Sequence, residues 1–220
     1  MTRPVILASA SPARRALLRS SGIDPMVIVS DVDEDAVEAA ERSHNPHLAP
    51  ADLALLLAVA KGEMVAGGPT RDLVEGGLPA PLVIACDSVL EVDGVAYGKP
   101  GDASTARERW RQMRGRPGVL HTGHWVRDAA SGLEVSGTAS TVVHFADVDD
   151  AEIDGYIATG EPLWVAGGFT LDGLGAPFVS RIEGDPSCVV GLSLPLLREL
   201  TRELGITWWD VAGPSAVPAT

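Results

Sequence analysis

The chain has 220 residues, 45% of them hydrophobic, which is enough for one domain with a sizeable core and too apolar for a disordered chain. Its formal charge of -13, from 30 acidic and 17 basic side chains, argues against a nonspecific nucleic-acid binder, which needs a basic footprint to displace counterions. A small anionic substrate would need local positive charge set into that background, and only Lys61 and Lys99 among the 17 basic residues are lysines.

The apolar run Val5–Ala8 is too short for a signal-peptide core. No stretch approaches the roughly 18 apolar residues of a membrane span. Cys86 and Cys188 are far apart and form no Cys-x-x-Cys pair of the kind used for zinc or redox chemistry. A soluble protein of the reducing cytoplasm, with no membrane partner, is the expectation.

Val5-Ile-Leu-Ala reads as a short buried strand. Ser11-Pro12 then supplies an N-cap and a proline at the first helical position, for a helix over about 12–20 that stops at Gly22. Its first turn places Arg14 and Arg15 beside free N–H groups at the positive end of the dipole, which suits phosphate but also describes an ordinary capped helix with surface arginines. A strand at Met26–Val29 leads into the acidic run Asp31-Val-Asp-Glu-Asp35. A helix follows, with Leu53, Leu56, Leu57 and Ala60 as its apolar positions and Lys61 in its C-terminal half. The stretch 67–81 is rich in Gly and Pro and reads as a loop, not as a linker between domains. One domain over 1–212 is expected, with a disordered tail at 213–220.

Leu82-Val-Ile-Ala-Cys is a continuous apolar run, as in a strand covered on both faces, and it ends abruptly in Asp87-Ser88. Open α/β sheets bind ligands beyond the carboxyl ends of their strands, so Asp87 is a site candidate as well as a candidate cap. Val89–Val92, Asp93-Gly94 and Val95–Tyr97 form a hairpin signal closed by Gly98-Lys99-Pro100. Asp102 caps a helix over about 103–114, and two long strands follow at 118–127 and 133–145. His121 and His124, three apart on a strand, point to opposite faces and make a poor metal pair. Asp149 caps a helix ending at Gly160. The segment 166–175 is a glycine-rich loop without the spacing of a dinucleotide fingerprint. A strand near 178–182, a helix capped by Ser193 and ending at Gly205, and a strand or packing segment at 206–209 complete the pattern.

Opening a phosphoanhydride at neutral pH needs a positioned water, charge neutralisation on phosphate oxygens and usually a hard divalent cation held by carboxylates. Glu34 and Asp87 supply oxygen ligands for a cation such as Mg²⁺ or Mn²⁺, and Arg14, Lys61 and Lys99 supply positive charge for a triphosphate. A carboxylate beside the metal can also accept a proton from attacking water. The segment 94–99 is one residue short of a P-loop and lacks its Ser/Thr, and neither His-Glu-x-x-His nor Gly-x-Ser-x-Gly occurs.

Leu7-Ala-Ser-Ala-Ser-Pro-Ala-Arg-Arg-Ala-Leu-Leu, Asp31-Val-Asp-Glu, Ala85-Cys-Asp-Ser-Val, Gly98-Lys-Pro and Gly160-Glu-Pro-Leu, continued by Ile182-Glu-Gly-Asp and Val190-Gly-Leu-Ser-Leu-Pro, resemble the Maf family. These septum formation inhibitor proteins are matched in order along nearly the whole chain. The resemblance implies an α/β fold of the inosine-triphosphate-pyrophosphatase type, with a long mixed sheet, two lobes and a central cleft. It also implies hydrolysis of nucleoside triphosphates to monophosphate and pyrophosphate with a divalent cation, and a homodimer by family analogy. Carried over by motif, Asp87 is the proton acceptor, Ser9 and Arg14 touch the phosphates, and Glu34, Lys61 and Lys99 complete the polar site.

Three positions depart from the family branches and bear on substrate choice: Ala13, Ser88 and Asp172. The thymidine/uridine branch of the resemblance shows Arg, Thr and Gln there, and the 7-methylguanosine branch Trp, Gln and Glu. Asp172, as a carboxylate, accepts hydrogen bonds only and would favour a base edge that presents donors, as guanine and the cytosine amino group do. A housecleaning activity on modified nucleotides would change the substrate and keep the reaction. The non-catalytic alternative is a nucleotide-binding regulator of septation.

Overall fold

The computed structural model describes residues 2–213. Strand β1 (Val5–Leu7) runs into helix α1 (Pro12–Ser20), whose start is set by Pro12 and by the Ser11 hydroxyl accepting from the Arg14 N–H at 3.3 Å. Strand β2 (Met26–Val27) is shorter than the expected 26–29, and both its residues are exposed on a sheet edge.

The acidic run opens a helix that the apolar pattern does not announce, α2 (Glu34–His44): Asp33 caps it through the Ala36 N–H at 3.0 Å, and Glu34 and Asp35 sit in the first turn, where the dipole favours anions. Helix α3 (Pro50–Gly67) carries the expected Leu53, Leu57 and Lys61. Within the stretch expected to be a loop, Pro69–Glu75 forms α4, begun by a proline whose fixed φ suits a first turn and held by Leu73 against the core.

Strand β3 (Leu82–Val92) corrects a second expectation, because it does not stop before Asp87. Its partner β5 is long enough to pair with it continuously from Leu82 to Glu91, so the charge sits in mid-strand. After β4 (Val95–Tyr97) and α5 (Ala103–Met113) come β5 (Pro117–Asp128), β6 (Glu134–Phe145), α6 (Asp150–Ala158), β7 (Val179–Glu183), α7 (Pro186–Val190), α8 (Leu194–Glu203) and α9 (Trp208–Val211). The last was expected as a strand or packing segment. A capping box between Thr207 and Asp210 makes it a helical turn instead. Gly213 donates to the Gly22 carbonyl at 2.9 Å and so belongs to the folded part, and the rest of the expected tail, 214–220, lies outside the described residues. Among those residues, no helix is long and apolar enough to cross a membrane.

The strands form one seven-stranded mixed sheet in the order β2-β1-β3-β5-β6-β7, with β4 paired to β3; β1 is parallel to β2 and β3, and the other pairings are antiparallel. The long strands join two cores. Leu82, Ile84 and Cys86 of β3 pack with α1, α8 and α9, whereas Leu90 and Val92, farther along, pack with α5 and α6 around Trp110.

On the other face α3 is pressed against the sheet at two glycines. A Cβ on Gly62 would run into the Trp125 ring, and one on Gly123, the register partner of Asp87, would run into the Ala54 carbonyl. This contact brings Lys61 within reach of β3. Gly62→Ala and Gly123→Ala are each expected to destabilise the fold by about 1–3 kcal/mol through overpacking, read by chemical denaturation.

Candidate functional site

Register explains where the site forms. β1 ends at Leu7, opposite Ile84, and β4 joins β3 only from Leu90 onward, so among the described residues no strand pairs with this edge of β3 between them. The Ile84 carbonyl is taken by the Ala8 N–H at 2.8 Å. The next carbonyl on that edge, Cys86, accepts from the Arg14 guanidinium at 2.8 Å. Arg14 therefore fills the place of a missing strand residue, and satisfies a buried main-chain acceptor that would otherwise cost about 1–3 kcal/mol.

The same nitrogen, Nη1, also donates to Ser9 Oγ at 3.0 Å, and the other two converge on the same spot: Nη2 donates to Ser88 Oγ at 2.9 Å and Nε to the Gly191 carbonyl at 2.6 Å. Ser88 shares a hydrogen bond of 2.9 Å with the Thr122 hydroxyl, which itself reaches the Cys188 carbonyl. On the other face of β3, Lys61 Nζ stands between Asp87 Oδ1 at 2.5 Å and Glu34 Oε1 at 2.8 Å. Successive strand residues point to opposite faces, yet the open edge lets groups from both faces reach one space.

That space is a cavity of 330 Å³. It brings together Ser9, Ala13, Arg14, Glu34, Lys61, Asp87, Ser88, Lys99 and Asp172, and lies between the α1 end of β1 and the glycine-rich segment that begins near Trp164. Arg15 is exposed and lies outside its lining. Lys99 stands exposed at the wall, on a turn tied to the segment 163–167 by the Gly167 N–H donating to the Gly98 carbonyl at 3.1 Å and the Gly101 N–H donating to the Leu163 carbonyl at 2.9 Å.

Burial pushes the Asp87 carboxyl above its ordinary pKa, and the Lys61 and Arg14 cations oppose that rise. Burial also works on Glu34, but there the Lys61 hydrogen bond and the charges of Lys61, Lys99 and Arg14 win and lower it. The two carboxylates thus hold their protons differently although they share one ammonium. As a donor set they are two hard oxygen ligands. No group of three or more His, Cys, Asp or Glu side chains among the described residues could enclose a metal ion. Two carboxylates of this kind suit a hard cation that completes its shell with water and substrate phosphate.

Sequence reasoning missed the residues that hold this arrangement from behind. His124, on the α8 face of β5, accepts from the Ser193 N–H through Nε2 at 2.8 Å, so its Nδ1 carries the hydrogen that goes to the Thr122 carbonyl at 3.0 Å. It braces the turn whose Gly191 carbonyl receives Arg14. His121 points the other way, to Glu91 at 2.9 Å and Ser140 at 2.8 Å, in keeping with the opposite faces expected of the pair. A lone histidine on an alternating strand carries no signal of such a role.

The family model described as Maf-like protein matches residues 4–204. The nucleoside triphosphate pyrophosphatase of Streptomyces coelicolor is 56% identical over 213 residues, covering 97% of this chain and 96% of that protein. The nucleoside triphosphate pyrophosphatase of Leifsonia xyli subsp. xyli is 54% identical over 216 residues, covering 95% and 98%. A protein of the same name from Nocardia farcinica is 52% identical over 209 residues, covering 94% and 95%.

Burial, helped by the nearby Arg14 charge, lowers the His124 pKa to about 4, and protonation would also set a second donor against the Ser193 N–H. The folded state therefore holds the neutral ring while the unfolded chain titrates near the ordinary value of about 6.5. Its contribution is fully present above about pH 6.5 and is lost progressively down to about pH 4, a difference on the order of 3 kcal/mol. Denaturant melts across this window should show a shallower decline in His124→Gln, whose amide oxygen can accept from Ser193 without titrating, than in the wild type.

Proposed function

Because the chain belongs to the Maf family, we propose that it is a nucleoside triphosphate pyrophosphatase that converts nucleoside triphosphates to monophosphates and pyrophosphate with the help of a divalent cation. The observation that carries this reading is the pairing, within one cavity, of a phosphate-binding end with a carboxylate end: Arg14 and Ser9 at the start of α1, and Asp87 and Glu34 around Lys61. Retention of this complete set speaks for catalysis over a purely regulatory nucleotide-binding role.

The N-terminus of α1 points main-chain N–H groups and a positive dipole at the phosphate chain, and the Arg14 guanidinium, held by four protein acceptors including Ser9, needs little reorganisation to meet it. Lys99 adds charge from the opposite wall. Asp87, with its pKa raised by burial, is suited to take a proton from attacking water as the α–β anhydride opens and pyrophosphate leaves. Lys61 limits that rise, so that the carboxylate is not simply neutralised by its surroundings. Glu34 and Asp87 would hold the cation, which when bound supplies charge neutralisation on the phosphate oxygens.

Asp172, on the glycine-rich side of the cavity, is proposed to face the base and to favour edges that present donors. Ala13 and Ser88, small side chains near the Arg14 end, would leave room there rather than make further contacts with the base.

Pyrophosphate release from a panel of common nucleoside triphosphates is expected to require Mg²⁺ or Mn²⁺ and to fall by about 100-fold or more in Asp87→Asn. Absence of release from every nucleotide would remove the enzyme reading. The same panel is expected to disfavour dTTP and UTP; a clear preference for either would contradict the role given to Asp172.

A further inference from the structure

Asp172 lies in a stretch whose backbone has unusual freedom: glycine occupies 167, 168, 173 and 175, and the first two have positive φ of 69° and 70°. A side chain on such a segment can select a base only if something outside the segment holds it still. The structure contains that hold. Glu161, at the start of the short turn Glu161–Trp164, accepts through Oε1 from the Thr170 hydroxyl at 2.5 Å and the Gly175 N–H at 3.1 Å, and through Oε2 from the Leu174 N–H at 3.1 Å. One carboxylate thus closes the span 170–175 at both ends, with Asp172 between them.

The carboxylate is itself anchored. Oε1 also accepts from the Tyr156 hydroxyl at 2.9 Å, and the Tyr156 ring packs edge-on against Trp110 in the core, with centroids 5.6 Å apart. The glycines beside Asp172 are shaped to this group. A Cβ on Gly173 would stand 2.6 Å from Glu161 Oε2, and one on Gly175 would stand 2.6 Å from the Tyr156 hydroxyl. These hydrogen bonds outweigh the effect of burial and hold the Glu161 pKa below its ordinary value. Glu161 is not part of the cavity lining, whereas Thr170 and Asp172 are.

We propose that Glu161 is a positioning residue for base selection: its carboxylate pins the segment 170–175 and so fixes where Asp172 stands in the cavity. This rests on the nucleotide reading of the cavity given above. The neutral amide of Glu161→Gln keeps an acceptor for the Leu174 N–H and turns its NH₂ toward the hydroxyls of Tyr156 and Thr170, which can rotate to accept it, while the Gly175 N–H loses the carboxylate and keeps only the Thr170 hydroxyl. Glu161→Ala removes every partner.

The test compares wild type, Glu161→Gln and Glu161→Ala by hydrogen exchange and by kcat and KM across all common nucleoside triphosphates. Exchange at the Leu174 and Gly175 amides is expected to accelerate by about tenfold or more in Glu161→Ala. The ratio of kcat/KM between the best and worst nucleotide is expected to fall by about tenfold or more, through KM of the preferred nucleotide, with its kcat changed by less than about threefold. Glu161→Gln should lie between the other two. If the wild type discriminates between bases and Glu161→Ala keeps that ratio, or loses kcat equally for every base, Glu161 is a general support and the proposal is overturned. It is equally overturned if the wild type shows no base preference. Failure of the wild type to release pyrophosphate from any nucleotide would instead remove the nucleotide reading on which the proposal stands.

Discussion

A β-strand whose neighbour stops short must find other partners for its main chain, and the way β3 meets that requirement organises the protein. Between Ile84 and Leu90 the strand has passed the end of β1 and has not yet met β4. A buried carbonyl left bare there would be costly. Arg14 supplies the donor and, because its guanidinium has five N–H groups in a planar fork, it reaches Ser9, Ser88 and Gly191 as well. One side chain thus repairs the sheet edge and places fixed positive charge where a phosphate chain would lie.

The same gap explains how chemically different groups come to share a cavity. Asp87 and Ser88 are adjacent on a strand and project to opposite faces, where a continuous sheet would separate them. At an open edge both remain accessible, so Arg14 approaches from the α1 side while Lys61 approaches from α3. The approach of α3 depends on Gly62 and Gly123, where any larger side chain would hold the helix away from the strand. Packing therefore sets the electrostatics: the distance that matters between Lys61 and Asp87 is decided by two residues that carry no charge.

Much of this was legible in the residues. The strand Val5–Leu7, the capped helix behind Ser11 and the long antiparallel strands follow from periodicity and turn chemistry, and every residue assigned to the site through the family motifs lies on the one cavity. Asp87 stands out as a charge interrupting an apolar run, which reads locally as the end of a strand, whereas β3 continues through it to Val92. Strand length is decided by the partner, and Cys86–Glu91 is held by pairing with β5, a long-range contact that local pattern does not report. The helices at 34–44 and 69–75 were missed because one begins in an acidic run and the other lies in a Gly- and Pro-rich stretch, where caps and a starting proline outweigh the weak apolar signal. The roles of His124 and Glu161 were invisible for a similar reason: each acts through main-chain groups far along the sequence or in a loop, and side-chain type alone does not reveal such partners.

In the proposed reaction this cavity directs hydrolysis to the anhydride between the α- and β-phosphates. Phosphorus NMR of the products formed from a nucleoside triphosphate with Mg²⁺ tests it most directly. Nucleoside monophosphate and pyrophosphate in equal amounts from the first turnovers, with no diphosphate intermediate, is the predicted result; nucleoside diphosphate with inorganic phosphate would contradict it.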